Sequence, residues 1–413
     1  MTDKQYDQEL ATGTDYEALA NRFRPIFAEI AQGALEREIT RTLPYEPIKW
    51  LKQAGFGAVR VPRKYGGAGA SITQLFQLLI ELGAADANLP QALRGHFAFV
   101  EDRLNSPADE LRARWLQRFV AGDLVGNAWS EIGTVALGDV ITKVAPHEGH
   151  WRLNGSKFYS TGSIFADWID VYAQRSDNGA DVIAVVRVDQ PGVRQSDDWD
   201  GFGQRTTGSG TSVFDNATVE AENLFDFGTR FKYQTAFYQL VLLAIHAGIG
   251  RAALRDVAAE VRGRKRIYSH GNASSVSQDV QVQQVVGQIA ALSYAAEATV
   301  IRATLPAQRA YETHFGADRE AEHAANIDAE LETGKAQVIV SELILRATSD
   351  LFNALGASAA REGLKLDRHW RNARTVASHN PLIYKARING AWEINATEPP
   401  YVWQIGSGPG QAA

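Results

Sequence analysis

Apolar residues recur at three-to-four spacing over residues 18–40, 75–85 and 111–120, the period that lays one face of an α-helix on a core. The pattern breaks at VPRKYGGAGAS (61–71), a glycine-rich turn ending on Ser71, whose hydroxyl can cap the helix that follows. From about residue 124 the period changes. WRLNGSKFYSTG, DWIDVYAQ, DVIAVVRV and TSVFDNATVEA are short β-rich runs separated by Gly, Asn and Asp turn signals, which predict a strand-built insert of antiparallel type. Beyond Phe231 long helical periods return at 233–268, 278–315 and 327–355; three or four long helices of this kind can form a bundle, and a C-terminal four-helix bundle is expected. The expected fold is mostly α with a central β domain. It comprises an N-terminal helical domain over 1–122, a middle antiparallel β domain over 123–230, a C-terminal bundle over 231–403 and a loose tail over 404–413. Strands do not alternate with helices, which argues against a doubly wound dinucleotide fold.

Composition narrows the function classes. The chain of 413 residues carries a formal net charge of −6, which gives no bulk attraction to nucleic acid or to an anionic membrane. No apolar run reads as long enough to cross a bilayer, and the opening MTDKQYDQELATGTDYEA is polar and acidic, unlike a secretory leader. The cytoplasm is the expected compartment. There is no cysteine, and the single methionine is the initiator. Disulfides, thiolate nucleophiles and cysteine-ligated metals are thereby excluded. Such a sulfur-poor chain fits an enzyme made while sulfur is limiting; compositional drift gives the same pattern.

Several motifs read as structure. Gly66, Gly67 and Gly69 precede a helix and Gly248 and Gly250 lie inside one, so neither set is a dinucleotide fingerprint. HEGH (147–150) reads as a turn between strands, and no metal is expected there. RGRKR (262–266) admits three readings: a solvated helix end, a nucleic-acid patch that the acidic balance disfavours, or a phosphate clamp. The densest set of polar groups beside aromatics lies in the β region. Asn127, Trp129 and Ser130 share one segment, Tyr159, Ser160 and Thr161 another, and Trp199, Arg205, Ser209 and Thr211 a third. These groups could cradle a flat heteroaromatic ring, or they are turn chemistry with core aromatics.

In order along the chain, VPRKYGGAGAS, NAWSEIGT, LNGSKFYSTGSIFADW, GQRTTGSGTSVFDNATV, LFNALGA and DRHWRNAR resemble segments of the acyl-CoA dehydrogenase superfamily. The resemblance implies a homotetramer whose flavin lies between the β domain and the C-terminal bundle, partly completed by a neighbouring subunit. It places Trp129, Ser130, Tyr159, Thr161 and Trp199 at the cofactor and Arg264 or Arg266 at its phosphate. Common dehydrogenases of the family carry a glutamate base just after the helix that DRHWRNAR resembles. Here His379 and Asn380 stand at that place, and Asn380 cannot abstract a carbon proton. LFNALGA lacks the glutamine and paired glycines that hold the adenine half of FAD, so FMN is the expected cofactor and FAD the weaker candidate.

HWRNAR followed by SHNPLIYK, with His96 in RGHFAF, resembles the reduced-flavin-dependent monooxygenase branch of the superfamily. That branch implies a two-component enzyme: an NAD(P)H-dependent flavin reductase supplies reduced FMN, and one atom of dioxygen passes to the substrate. The expected catalytic residues are His96, Asn127, Thr161 and His379. Asn127, Ser130, Thr161 and His379 are the expected hydrogen-bond donors, and His96 and His379 the expected carriers of protons. Combined with the sulfur-poor composition, this suggests a small organosulfur substrate: a sulfide, sulfoxide, sulfinate or sulfone. An N- or aromatic hydroxylase of the same branch and an FAD-dependent acyl-CoA dehydrogenase are the alternatives.

Overall fold

The structure, a computed structural model, describes residues 15–131 and 140–402. The expected tail at 404–413 and part of the segment after Ser130 lie outside the described residues. Among the described residues, seven α-helices precede the sheet: α1 (Tyr16–Asn21), α2 (Arg24–Thr40), α3 (Tyr45–Gln53), α4 (Ile72–Ala85), α5 (Asn88–Ala92), α6 (Arg94–Asn105) and α7 (Glu110–Ala121). The glycine-rich turn ends as its sequence predicts. Gln74 N–H donates to Ser71 Oγ at 3.1 Å and Ser71 N–H donates to Gln74 Oε1 at 2.9 Å, so two amides at the head of α4 are satisfied reciprocally.

The strands are β1 (Val125–Ala128), β2 (Lys143–His147), β3 (His150–Lys157), β4 (Trp168–Arg175), β5 (Asp181–Arg187), β6 (Val193–Gln195), β7 (Ser212–Val219) and β8 (Leu224–Asp226). They form one sheet in the order β6-β7-β3-β2-β4-β5-β8, with β1 also on β4. The expected antiparallel sheet is in fact mixed: β4 runs parallel to both β1 and β2 and antiparallel to β5. Alternation of side chains identifies a strand but not its neighbour's direction, which the long connection from β1 to β4 sets. HEGH is the turn it was read as. Glu148 and Gly149 have φ of 46° and 83°, the left-handed pair that closes a two-residue hairpin between β2 and β3.

Four helices, α8 (Gln234–Gly263), α9 (Val280–His314), α10 (Arg319–Asp350) and α11 (Asp367–Ser378), pack as a bundle, and α12 (Lys385–Asn395) lies on α10. Helix α8 is long and apolar enough to cross a membrane, which corrects the reading that no such run exists. Because 83% of its apolar window is buried against other helices, it is the core helix of the bundle, with α4 packed on it as well.

All twelve residues of α6 are buried. Glu101 lies beside the fully buried Arg60 in a bidentate pair, both bonds 3.0 Å, and also accepts from Tyr233 Oη at 2.6 Å, just ahead of α8. His96 bridges two further elements. Since Val125 N–H donates to Nδ1 at 3.2 Å, the other nitrogen, Nε2, carries the proton and donates to Gly57 O at 2.9 Å. Removing one partner of a buried pair strands the other charge. Arg60→Met is therefore expected to cost about 3–5 kcal/mol of stability, read from urea unfolding; an unchanged midpoint would show that the pair adds nothing.

Burial lowers the pKa of His96 from 6.5 to about 4. The unfolded chain takes up this proton first, so the contribution to stability is complete above pH 6.5 and is lost as pH falls toward 4. His246 and His369, lowered to about 4 by the same cause, add to this dependence. In His96→Gln the slope of unfolding free energy between about pH 6 and 5 should drop by up to about 1.4 kcal/mol per pH unit. Equal slopes in the variant and the parent would contradict a neutral, buried His96.

Candidate active site

The site begins where the sheet splits. Strand β1 pairs with β4 from Val125↔Trp168 to Ala128↔Val171, and β2 resumes the same edge at Lys143↔Gln174. Between them the chain leaves the sheet at Trp129. The Lys157 ammonium, fully buried, donates to Trp129 O at 3.2 Å and to Glu131 Oε1 at 2.7 Å, and Ser130 bridges to Phe158. On β4, opposite Asn127, sits the buried Asp170. Its carboxylate accepts from Trp129 Nε1 at 2.7 Å and from Arg230 Nη1 at 3.0 Å. Arg230 in turn lies over the Trp129 ring at 4.8 Å, and Tyr238 meets that ring edge-on at 5.7 Å.

Tyr159, Thr161 and Trp199 meet across the next turn. Tyr159 has a left-handed φ of 55°, is half exposed, and contacts Trp199 with ring centroids 6.0 Å apart. Thr207 Oγ1 donates to Gln204 O at 2.9 Å and shares a 2.7 Å hydrogen bond with Ser209 Oγ, which shares another of 2.7 Å with Thr161 Oγ1; Thr161 Oγ1 also donates to Tyr159 O at 3.3 Å. These bonds engage the Thr161 proton inside the cluster and leave its oxygen able to accept.

Helix α6 delivers the third group. Gly95 lies so close to β1 that a Cβ there would stand 2.7 Å from Asn127 Oδ1. The Asn127 amide makes no side-chain hydrogen bond among the described residues, and its Oδ1 is buried without a partner. Beside it the buried Arg94 reaches into the bundle, 5.0 Å over the Tyr238 ring, and donates from Nη2 to His379 Nε2 at 3.0 Å. Arginine only donates, so His379 accepts at Nε2 and carries its proton on Nδ1, 3.4 Å from Asn380 Oδ1. Asn380 Nδ2 donates onward to Gln239 Oε1 at 2.7 Å. Desolvation and then the Arg94 cation lower the His379 pKa. The residue as a whole is exposed, so the hydrogen bond from Arg94 is the firmer ground for a neutral ring. Burial brings the Arg94 pKa down to about 10, which leaves it a cation at neutral pH.

The structure thus gathers Asn127, Trp129 and His379 through Arg94 and Tyr238, and it pairs Tyr159 with Trp199. Two expectations change. His96 spends both ring nitrogens on backbone groups and is a structural pin, so it has no nitrogen left to carry protons. His379 accepts a hydrogen bond from Arg94 at Nε2 and so positions it, and its one N–H, on Nδ1, faces Asn380 Oδ1 at 3.4 Å. Arg264 and Arg266 lie past the end of α8. Arg264 packs over Tyr268 at 5.4 Å against Gly356 of the LFNALGA turn, and Arg266 is exposed. No described contact joins them to the other site residues.

Arg94, Tyr238, Asp170 and Arg230 were not singled out from sequence. The available signal was a charged residue in RGHFAF, a segment too apolar to leave that charge in water. For a flavin the residues fit: an aromatic pair for a ring face, a hydroxyl acceptor and an unpartnered buried amide for its edge, and a carboxylate-free cation beside them.

A dibenzothiophene monooxygenase of Mycolicibacterium goodii is 27% identical over 366 residues, covering 84% of this chain and 87% of that protein. The crystal structure of FMN-bound TdsC from Paenibacillus sp. A11-2 superposes with a TM-score of 0.84 at 27% identity, covering 92% of this chain and 98% of that one. Methanesulfinate monooxygenase MsuC from Pseudomonas fluorescens gives 0.83 at 25% identity, covering 93% and 98%. The acyl-CoA dehydrogenase N-terminal domain matches residues 14–123, and the acyl-CoA dehydrogenase C-terminal domain matches residues 240–382. With both helical units matched and the β sheet between them, the chain belongs to the acyl-CoA dehydrogenase family.

Proposed function

We propose that this protein is a flavin-dependent monooxygenase that uses reduced FMN and dioxygen to oxygenate a small organosulfur compound. One observation carries the reading beyond its relatives: the group facing Arg94 is a neutral imidazole, with Asn380 and Gln239 behind it. No carboxylate stands in that set to take a proton from carbon, so the dehydrogenase chemistry of the family lacks its base there. The relatives that cover most of this chain are named for oxygenation of sulfur compounds, and TdsC binds FMN.

Bound reduced FMN supplies the two electrons with which one atom of dioxygen is transferred and the other leaves as water. The chain's own groups hold it and shape the site. Tyr159 and Trp199 would offer ring contacts to the flavin, and Thr161 would offer a polar oxygen at its edge. Ser130 and Asn127 supply polar groups at its edge, while Trp129, fixed by Asp170, forms an apolar wall that excludes water. Arg264 or Arg266 serves the phosphate.

A separate NAD(P)H-dependent flavin reductase belongs to this reading, as does a cytoplasmic setting. A homotetramer does too. Its support is apolar surface left on the bundle, with Tyr294 77%, Ile383 78% and Ile394 80% exposed.

The test supplies photoreduced FMN and isotope-labelled dioxygen to the pure protein with a sulfide, a sulfoxide and a sulfinate in turn. One labelled oxygen should enter the product. Reoxidation of the flavin with no labelled product, together with reduction by an acyl-CoA, would overturn the reading. Trp199→Ala should weaken binding of reduced FMN by up to about tenfold, the loss of one aromatic contact, measured by anaerobic fluorescence titration.

A further inference from the structure

The buried charges around the site balance with one exception. Arg230 is countered by Asp170, Arg103 by Asp102 and Arg60 by Glu101. Arg94 is 6% exposed, and among the described residues it has no carboxylate partner and its Nε has no hydrogen-bond partner. Its neighbours cannot supply the missing charge. The Tyr238 ring offers only its face, and His379 is locked as a neutral acceptor by the run through Asn380 to Gln239. Two more polar atoms in the same place are buried and unpartnered, Tyr238 Oη and Asn127 Oδ1. An uncompensated guanidinium inside a protein is strongly unfavourable, so a group that balances it is expected from outside the chain.

We propose that Arg94 is the recognition site for an anionic substrate head group, and that the substrate is an organic sulfinate rather than a neutral sulfide or thiophene. The assignment rests on the oxygenase reading for its chemistry and on geometry alone for its charge. A sulfinate carries one negative charge on two oxygens, which suit the forked donors of a guanidinium, with the Tyr238 hydroxyl free to donate as well. It also keeps a lone pair on sulfur. Holding the oxygens at Arg94 orients that pair away from the cation. The balanced reaction is R–SO2⁻ + O2 + FMNH2 → R–SO3⁻ + H2O + FMN. A new S–O bond forms, the O–O bond breaks, sulfur is oxidised, and the flavin supplies the two electrons and two protons that make water. His379 is a positioning residue here, holding Arg94 without neutralising it.

The experiment measures methanesulfinate binding by calorimetry to the flavin-free protein, with dimethyl sulfone as the neutral probe of similar size, beside titration with reduced FMN. The parent should bind methanesulfinate and not the sulfone. Arg94→Met should weaken methanesulfinate by about 100-fold, the loss of a buried charged hydrogen bond, and Arg94→Lys by about tenfold. Arg94→Met should also melt no lower than the parent, because it removes an unpaired buried charge. Equal binding of sulfone and sulfinate, or a parent-like sulfinate affinity in Arg94→Met, would overturn the proposal. So would a loss of reduced-FMN affinity that matches the loss of sulfinate, since Arg94 would then serve the cofactor. If sulfinate binding depends on Arg94 but no labelled oxygen enters any product, the anion site stands and the oxygenase reading falls.

Discussion

Because α6 has no face toward water, its polar groups must be satisfied inside the protein: Arg103 is met by Asp102 on the helix itself, and the others by partners from all three parts of the chain. Glu101 reaches Arg60 in the N-terminal helices and Tyr233 at the entrance to the bundle. His96 ties Gly57 to the first residue of β1. Gly95 lets the helix lie directly on Asn127. Arg94, one turn from these contacts, extends to α11 and meets His379. A single helix therefore sets the distance between the β sheet and the bundle, and the candidate site occupies that junction.

The second determinant is Asp170. As a carboxylate on a central strand it is enclosed on both faces of the sheet, and it is tolerated because Arg230 and the Trp129 indole satisfy it. It fixes Trp129 as a wall and neutralises the cation nearest that wall. What remains is a site with one uncompensated positive charge, at Arg94. The distribution is chemically selective: a cation without an acid favours anions and offers no base.

Loss of the base is also how one fold can serve two kinds of redox chemistry. A dehydrogenase needs a carboxylate to remove a carbon proton as electrons leave the substrate. Here Arg94 faces a neutral histidine, His379, whose tautomer is set by Arg94 on one side and Asn380 on the other. Such a site can hold and orient an electron-rich substrate while excluding water, and the electrons then run from the cofactor toward oxygen.

Helical and strand periods, the capping box at Ser71 and the hairpin at Glu148–Gly149 were legible in the sequence because each depends on neighbours within a few residues. So was the order of helices, sheet and helices, and the segments that resemble the family. The parallel pairing of β1 and β2 with β4 was not, since alternation carries no information on direction. Nor was the division of labour among the histidines. His96 stood out as a catalytic candidate, yet its two backbone bonds come from residues 39 and 29 positions away. Arg94 does not stand out in the sequence, yet its significance lies in what the chain brings to it from 285 positions away: a histidine and no acid. The sequence by itself determined the elements and the available side chains. Only the tertiary structure decided which buried charges are paired, because pairing is a property of distance in space.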